Sequence, residues 1–232
     1  MNHYFTDNRH LAQNRKEITF RFSCFTCRFI TDNGVFCKDH VDAGSQLLLE
    51  TIERHGPLGE RVLDLGCGTG LELAPYFESN PTARIVGIDL APGMLAELKR
   101  KFPNRALTLI QGSYFEVPFE REAFDAAVSV ESLHHFTKAE KVPLYARARG
   151  ALKPGGYFIL TDYFSETDEE EAFRRSELVR LKREQGAADD EFYHYDTPLT
   201  LAHELEALRE AGFADVQVLN RWAATGCIRA AK

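Results

Sequence analysis

Short apolar runs alternate with amphipathic segments through the middle of the chain. The runs are Arg61–Leu65, Arg84–Ile88, Leu107–Ile110, Phe124–Val130 and Tyr157–Thr161. Leu95, Leu98 and Phe102 mark one face of the segment after the second run, and Pro92 stands where its helix would start. Thr137 with Glu140 predicts a capping box for the helix after the fourth run, although Pro143 lies awkwardly inside that helix and blurs its start. Strand–helix alternation of this kind predicts βαβ units and a parallel sheet, so the fold class is α/β.

The flanks read differently. Ile18, Phe20 and Phe22 alternate with Thr19 and Arg21 as in a strand, Phe25 to Ile30 gives a second, and Asp32-Asn33-Gly34 is a turn signal. Asp42 to His55 reads as a helix with Leu48, Leu49 and Ile52 on one face, stopped by Gly56-Pro57. Beyond the fifth run, Thr167 with Glu170 predicts a second capping box. Acidic residues crowd the first turn there, and Arg174, Arg175, Arg180, Lys182 and Arg183 follow, an order that suits the helix dipole. A helix at about Leu199–Ala211 ends at Gly212, and strands Val216–Leu219 and Cys227–Ala230 follow. There is no internal repeat or low-complexity linker.

Composition narrows the picture in three ways. A chain of 232 residues can form one α/β domain whose core needs no disulfide or metal. A formal net charge of −7 argues against a dedicated nucleic-acid binder. No apolar run approaches membrane-spanning length. Asp7, Arg9, Arg15, Lys16, Glu17, Arg21 and Arg28 leave no uncharged stretch for a signal peptide. The expected location is therefore the cytoplasm, with the five cysteines as free thiols.

The strongest chemical signal is Val62-Leu63-Asp64-Leu65-Gly66-Cys67-Gly68-Thr69-Gly70. An apolar strand runs into three glycines and then a helix, a pattern that lets a ligand approach the backbone and its free N–H groups. A dinucleotide fingerprint would need glycine at 71, where Leu71 stands, which disfavours a nicotinamide-dependent dehydrogenase. The spacing D-x-G-x-G-x-G resembles the first motif of the class I S-adenosylmethionine (SAM)-dependent methyltransferases. The plain alternative is a glycine turn in an unrelated α/β protein.

The resemblance is strong over about residues 58–163 and weak over the last 20. It implies a Rossmann-like fold: a seven-stranded, mostly parallel sheet flanked by helices, with the last strand antiparallel. Residues 58–232 would form the methyltransferase domain, with a helical insertion at about 164–198, and residues 1–57 an amino-terminal cap. SAM would be the methyl donor, released as S-adenosylhomocysteine. Cofactor contacts are expected from Asp64, Gly66, Cys67, Gly68 and Gly70 in the first motif. Asp89 ends the next strand and would accept from the ribose hydroxyls, with Leu90 beside it; a helix-capping aspartate is the plain alternative. Met94 falls where the family packs a residue near the adenine, or is plain core. Gly112, Ser113 and Tyr114 follow the third strand. Ser113 stands where many members have an aspartate, and Tyr114 either flanks the base or is structural. Leu152-Lys153-Pro154-Gly155-Gly156 matches the family's turn before its fifth strand.

The loop Ser129-Val130-Glu131-Ser132-Leu133-His134-His135-Phe136 would border the methyl group and acceptor. Glu131 is expected at the cofactor, and Glu131, His134 and His135 are the candidates for a catalytic group. The amino-terminal segment, with His3-Tyr4-Phe5-Thr6, Arg15-Lys16-Glu17-Ile18, Thr31-Asp32-Asn33-Gly34-Val35-Phe36, Val41-Asp42 and Gly44-Ser45, resembles the segment ahead of the catalytic fold in ribosomal RNA small-subunit guanine-N2 methyltransferases. Those enzymes carry an Asn-Pro-Pro-aromatic motif where this chain has Val130-Glu131-Ser132-Leu133. The expected acceptor is therefore a small molecule. It would be enclosed by the cap and by the insertion, with Phe192, Tyr193, His194 and Tyr195 as lid residues. An RNA methyltransferase and a non-catalytic SAM-binding protein are the alternatives. Cys24, Cys27, Cys37 and His40 have a spacing that zinc could use, but unligated cysteines in an aromatic hairpin are the expected reading, so no metal is assigned.

Overall fold

The computed structural model describes residues 12, 14–22, 25–31, 39–55, 58–188, 193 and 195–232; of residues 22, 25, 27, 29, 31, 53 and 55 it describes the backbone alone. Strands β1 (Lys16–Phe22) and β2 (Phe25–Thr31) pair antiparallel as a separate two-stranded sheet. The helix α1 (Ala43–His55) leads into an alternation of β3 (Arg61–Leu65), α2 (Leu73–Ser79), β4 (Arg84–Asp89), α3 (Pro92–Lys101), β5 (Ala106–Gln111), β6 (Phe124–Val130), α4 (Lys138–Ala151) and β7 (Leu152–Tyr163). Helices α5 (Asp168–Gln185) and α6 (Leu201–Glu210) and strands β8 (Asp215–Trp222) and β9 (Thr225–Ala231) complete it. Strands β3 to β9 form one seven-stranded sheet in the order β5-β4-β3-β6-β7-β9-β8. Only β9 runs antiparallel to its neighbours, as expected for the last strand.

The inner strands of the sheet are buried on both faces, which explains why they read as apolar runs rather than alternating ones. Leu63, Leu65, Ala127, Phe158 and Leu160 point to one face, where they meet Leu144 and Tyr145 of α4 and Leu208 of α6. Val62, Ala126, Val128 and Ile159 point to the other, against Leu47 and Leu48 of α1, Tyr76 and Phe77 of α2, and Leu95 and Leu98 of α3. Helix α1 lies on β6 to β9, so its residues belong to the layer that covers the sheet. Helix α5, inside the expected insertion, buries no residue. None of the helices among the described residues is long and apolar enough to cross a membrane.

Two local readings need adjustment. Helix α4 starts at its Thr137–Glu140 capping box and passes through Pro143 without breaking. The carbonyl that loses its donor there belongs to Ala139, which is exposed, so water can take the donor's place. At α5 the Thr167 hydroxyl accepts from Glu170 N–H, but the Glu170 carboxylate reaches back to Glu166 N–H at 2.9 Å rather than to Thr167.

Helices α4 and α6 are tied by a buried charged group. Lys141 Nζ lies 2.5 Å from Glu204 Oε2, both side chains are 1% exposed, and the Tyr145 hydroxyl donates to the other Glu204 oxygen. Removing one partner leaves a buried charge uncompensated. Lys141→Met is expected to destabilise the fold by about 3–5 kcal/mol in urea denaturation. A loss below about 1 kcal/mol would mean that water reaches Glu204.

Candidate functional site

A cavity opens at the carboxyl ends of β3, β4 and β6, where parallel α/β sheets expose their loops. Strand β3 ends in the glycine turn. Gly66 has φ +79°, and a Cβ there would fall 2.1 Å from Ser132 Oγ. Gly70 has φ +64°, and a Cβ there would strike Leu98 Cδ1 of α3 at 2.5 Å. Glycine is thus required at one position for the approach of the loop after β6 and at the other for helix packing. Asp89, at the tip of β4, fastens this turn: Oδ2 accepts from Gly68 N–H and Oδ1 from Ala91 N–H, each at 2.8 Å. Burial raises its pKa.

The cavity brings together Asp64, Gly66, Cys67, Gly68 and Gly70 from the first motif with Asp89, Leu90, Met94, Tyr114, Glu131 and His135. Tyr114 donates to Ser132 O at 3.0 Å, which holds its ring edge in the wall. Cys67 is buried, and burial keeps its thiol well above the usual pKa. Gly112, Ser113 and His134 are not among the lining residues. The Ser113 hydroxyl accepts from Phe115 N–H at 3.2 Å within its own turn. Tyr193 and Tyr195 do not line the cavity either, whereas Phe192 and His194 lie outside the described residues. So do Cys24, Cys37 and the side chain of Cys27 from the cysteine set.

The cavity is also lined by Asp42, Ser45, Leu71 and Glu72, which the sequence does not place there, by Thr69 of the first motif, and by Val130, Ser132 and Phe136 of the loop expected to border the methyl group. Asp42 and Ser45 come from the start of α1, where Asp42 Oδ1 accepts from Ser45 N–H at 2.6 Å. A helix cap is legible there, but its place beside the glycine turn is a matter of tertiary structure. Glu72 could have been found, since it follows the glycine motif by two residues.

The electrostatics are one-sided. Asp42, Asp64, Glu72, Asp89 and Glu131 put five carboxyl groups on the wall, and no Lys or Arg is among the described lining residues. Asp64 Oδ2 is buried without a hydrogen-bond partner. Burial, then Glu72 and Asp89, push Asp64 well above the usual carboxylate range. Burial, aided by Asp42, pushes Glu72 up to about 7. Glu131 has φ +44°, a left-handed backbone that a side chain rarely adopts, and its Oε1 accepts from Gly44 N–H of α1 at 2.9 Å. Burial, then Asp42 and Asp162, push Glu131 up to about 7. Such a wall favours a cationic ligand, which would relieve the repulsion among the carboxyl groups.

Behind the cavity, His134 is buried with Nδ1 2.7 Å from Asp162 Oδ1. His135 Nδ1 lies 3.3 Å from the Tyr195 carbonyl. Residues 196–200 are strapped to this loop: Thr197 N–H donates to His134 O at 3.0 Å and its hydroxyl to His135 O at 3.1 Å.

Residues 62–156 match the family described as a methyltransferase domain. A fatty-acid O-methyltransferase of Mycolicibacterium smegmatis is 34% identical over 117 residues, 50% of this chain and 42% of that protein. The erythromycin 3''-O-methyltransferase of Saccharopolyspora erythraea is 31% identical over 131 residues, 54% of this chain and 42% of that protein. A solved SAM-dependent methyltransferase from Mesorhizobium loti shares the fold, with a TM-score of 0.59 at 19% identity over 82% of this chain and 98% of that one. Over residues 62–156 the chain is similar to the SAM-dependent methyltransferases, and it has their fold. It spans about half or less of the length of the curated relatives it matches.

The raised carboxyl groups of the cavity have a measurable consequence. Glu72 binds its proton more tightly folded than unfolded, so its ionisation costs stability as pH rises from the ordinary Glu value through about 7. Glu72→Gln removes that cost. The variant is expected to be more stable than the parent at pH 8 without ligand, and the gain to vanish toward pH 5. Thermal denaturation at both pH values reads this directly; a variant less stable at pH 8 would contradict the assignment.

Proposed function

We propose that this chain transfers the methyl group of SAM to a small-molecule acceptor. The observation that carries the reading is the cavity wall, where a glycine turn stands among five carboxyl groups, Asp89 included, with no Lys or Arg among the described lining residues. SAM carries a sulfonium and an ammonium group, and both suit that wall. The pyrophosphate of a dinucleotide and the phosphates of RNA do not.

The residues divide the work. Asp89, already pinned by two backbone donors, keeps lone pairs for the ribose hydroxyls. The unpartnered Asp64 oxygen, with Glu72 behind it, is the acceptor for the ammonium group. Gly68 leaves room for close approach, since nothing lies within 4 Å of where its Cβ would be. When bound, SAM supplies the reactive methyl group and its own leaving group, so the chain's task is alignment and exclusion of water. Glu131, Ser132, His135 and Phe136 of the loop after β6 form the wall that an acceptor would meet. With its pKa near 7, Glu131 can take a proton from an acceptor hydroxyl or amine.

Support for a small acceptor also comes from relatives whose names specify a fatty acid and a macrolide antibiotic. The end of the 164–198 segment is held to the His134–His135 loop through Thr197, beside the wall an acceptor would meet.

Asp89→Ala is expected to weaken SAM binding by roughly 1.5–3 kcal/mol, the scale for lost hydrogen bonds to a charged acceptor. Unchanged affinity in a folded variant would assign the ribose to another residue. The acceptor class is tested with labelled SAM, offered fatty acids, hydroxylated natural products and small amines beside ribosomal RNA. Label is expected in a small molecule. Stoichiometric labelling of one RNA nucleotide, with no small acceptor used, would overturn the reading.

A further inference from the structure

His134 and His135 come from the loop after β6, and Asp196 reaches them from the segment between α5 and α6. Asp196 Oδ1 lies 3.6 Å from His134 Nε2 and 3.4 Å from His135 Nδ1. The Tyr195 carbonyl accepts from His135 Nδ1 at 3.3 Å, so ligation at Nδ1 moves that ring's proton to Nε2. The three ligand atoms lie within 4.8 Å of one another. The geometry points to a binding site for a divalent first-row transition-metal ion of the zinc type, held by His134 Nε2, His135 Nδ1 and the Asp196 carboxylate.

Distance is the first argument. Ligand atoms about 2.0–2.1 Å from a tetrahedral ion stand about 3.3–3.4 Å apart. The His135–Asp196 separation matches that spacing, and the 3.6 Å from His134 to Asp196 is longer than a hydrogen bond. Two imidazoles and a carboxylate are a donor set for borderline divalent ions and leave a fourth position open.

The tautomer is the second argument. Asp162 accepts from His134 Nδ1 at 2.7 Å, which places the proton on Nδ1 and leaves the lone pair of Nε2 facing Asp196. Asp162 is itself fixed, since its Oδ2 accepts from Leu133 N–H and its Oδ1 from Tyr163 N–H, each at 3.0 Å. A carboxylate behind a ligating histidine is the usual means of orienting the ring and raising its basicity.

The third argument is an orphaned polar atom. The Tyr163 ring lies 4.4 Å from His134, centroid to centroid, and its hydroxyl is buried with no hydrogen-bond partner. Water on the ion's fourth position would give it a partner.

An ion here would clasp the segment that ends the insertion to the loop that His135 presents to the cavity. The site is distinct from Cys24, Cys27, Cys37 and His40, and it does not depend on methyl transfer. The test is titration of the full chain, stripped with chelator, with Co²⁺ as the probe. Uptake of one equivalent is expected, with visible d–d absorption and no thiolate charge-transfer band. Asp196→Asn, Asp162→Asn and His135→Gln are each expected to weaken binding at least about tenfold. Asp196 is half-exposed, so Asp196→Asn decides the matter if a histidine variant fails to fold. No uptake, uptake with a thiolate band, or unchanged affinity in folded Asp196→Asn would each overturn the proposal.

Discussion

Asp89 holds together the two backbone segments on which the site depends. One carboxylate oxygen takes Gly68 N–H from the turn after β3, and the other takes Ala91 N–H at the head of α3. Gly66 and Cys67 donate in turn to Ile88 O, one residue before Asp89. The glycine turn is thus hung from β4 as well as from its own strand. Its positive φ angles are tolerated because glycine adopts them at no steric cost. Neighbouring side chains pack directly on that turn: Ser132 against Gly66, and Leu98 of α3 against Gly70.

The second constraint is charge. Buried carboxyl groups are costly unless paired, and this cavity leaves several of them facing one another. Between α4 and α6, by contrast, the buried Lys141 and Glu204 are paired. The contrast marks the cavity as a place where stability is given up for binding, in keeping with the left-handed backbone at Glu131. A cationic ligand would supply the missing counter-charge.

The sheet was legible because its inner strands are buried on both faces and read as apolar runs: Arg61–Leu65 and Phe124–Val130 match to the residue. Boundaries were less legible where pairing rather than composition extends a strand. Strand β7 begins at Leu152 because Leu152 pairs with Phe124 across a register shift, and β8 reaches Trp222 across another. For the site, the glycine motif and Asp89 could be read directly, since local spacing dictates their geometry. Asp42 and Ser45 could not, because they reach the cavity only when α1 packs on the sheet. The separation of His135 from His134, one on the cavity wall and one behind it, depends on Asp162 and Asp196, both distant in sequence.

The account stands on the claim that this cavity takes a sulfonium nucleoside and refuses a dinucleotide. Isothermal titration calorimetry of the full chain with SAM, S-adenosylhomocysteine and NAD measures it most directly. The expected result is one site per chain for SAM and for S-adenosylhomocysteine, and no heat with NAD. Saturable NAD binding without SAM binding would contradict it.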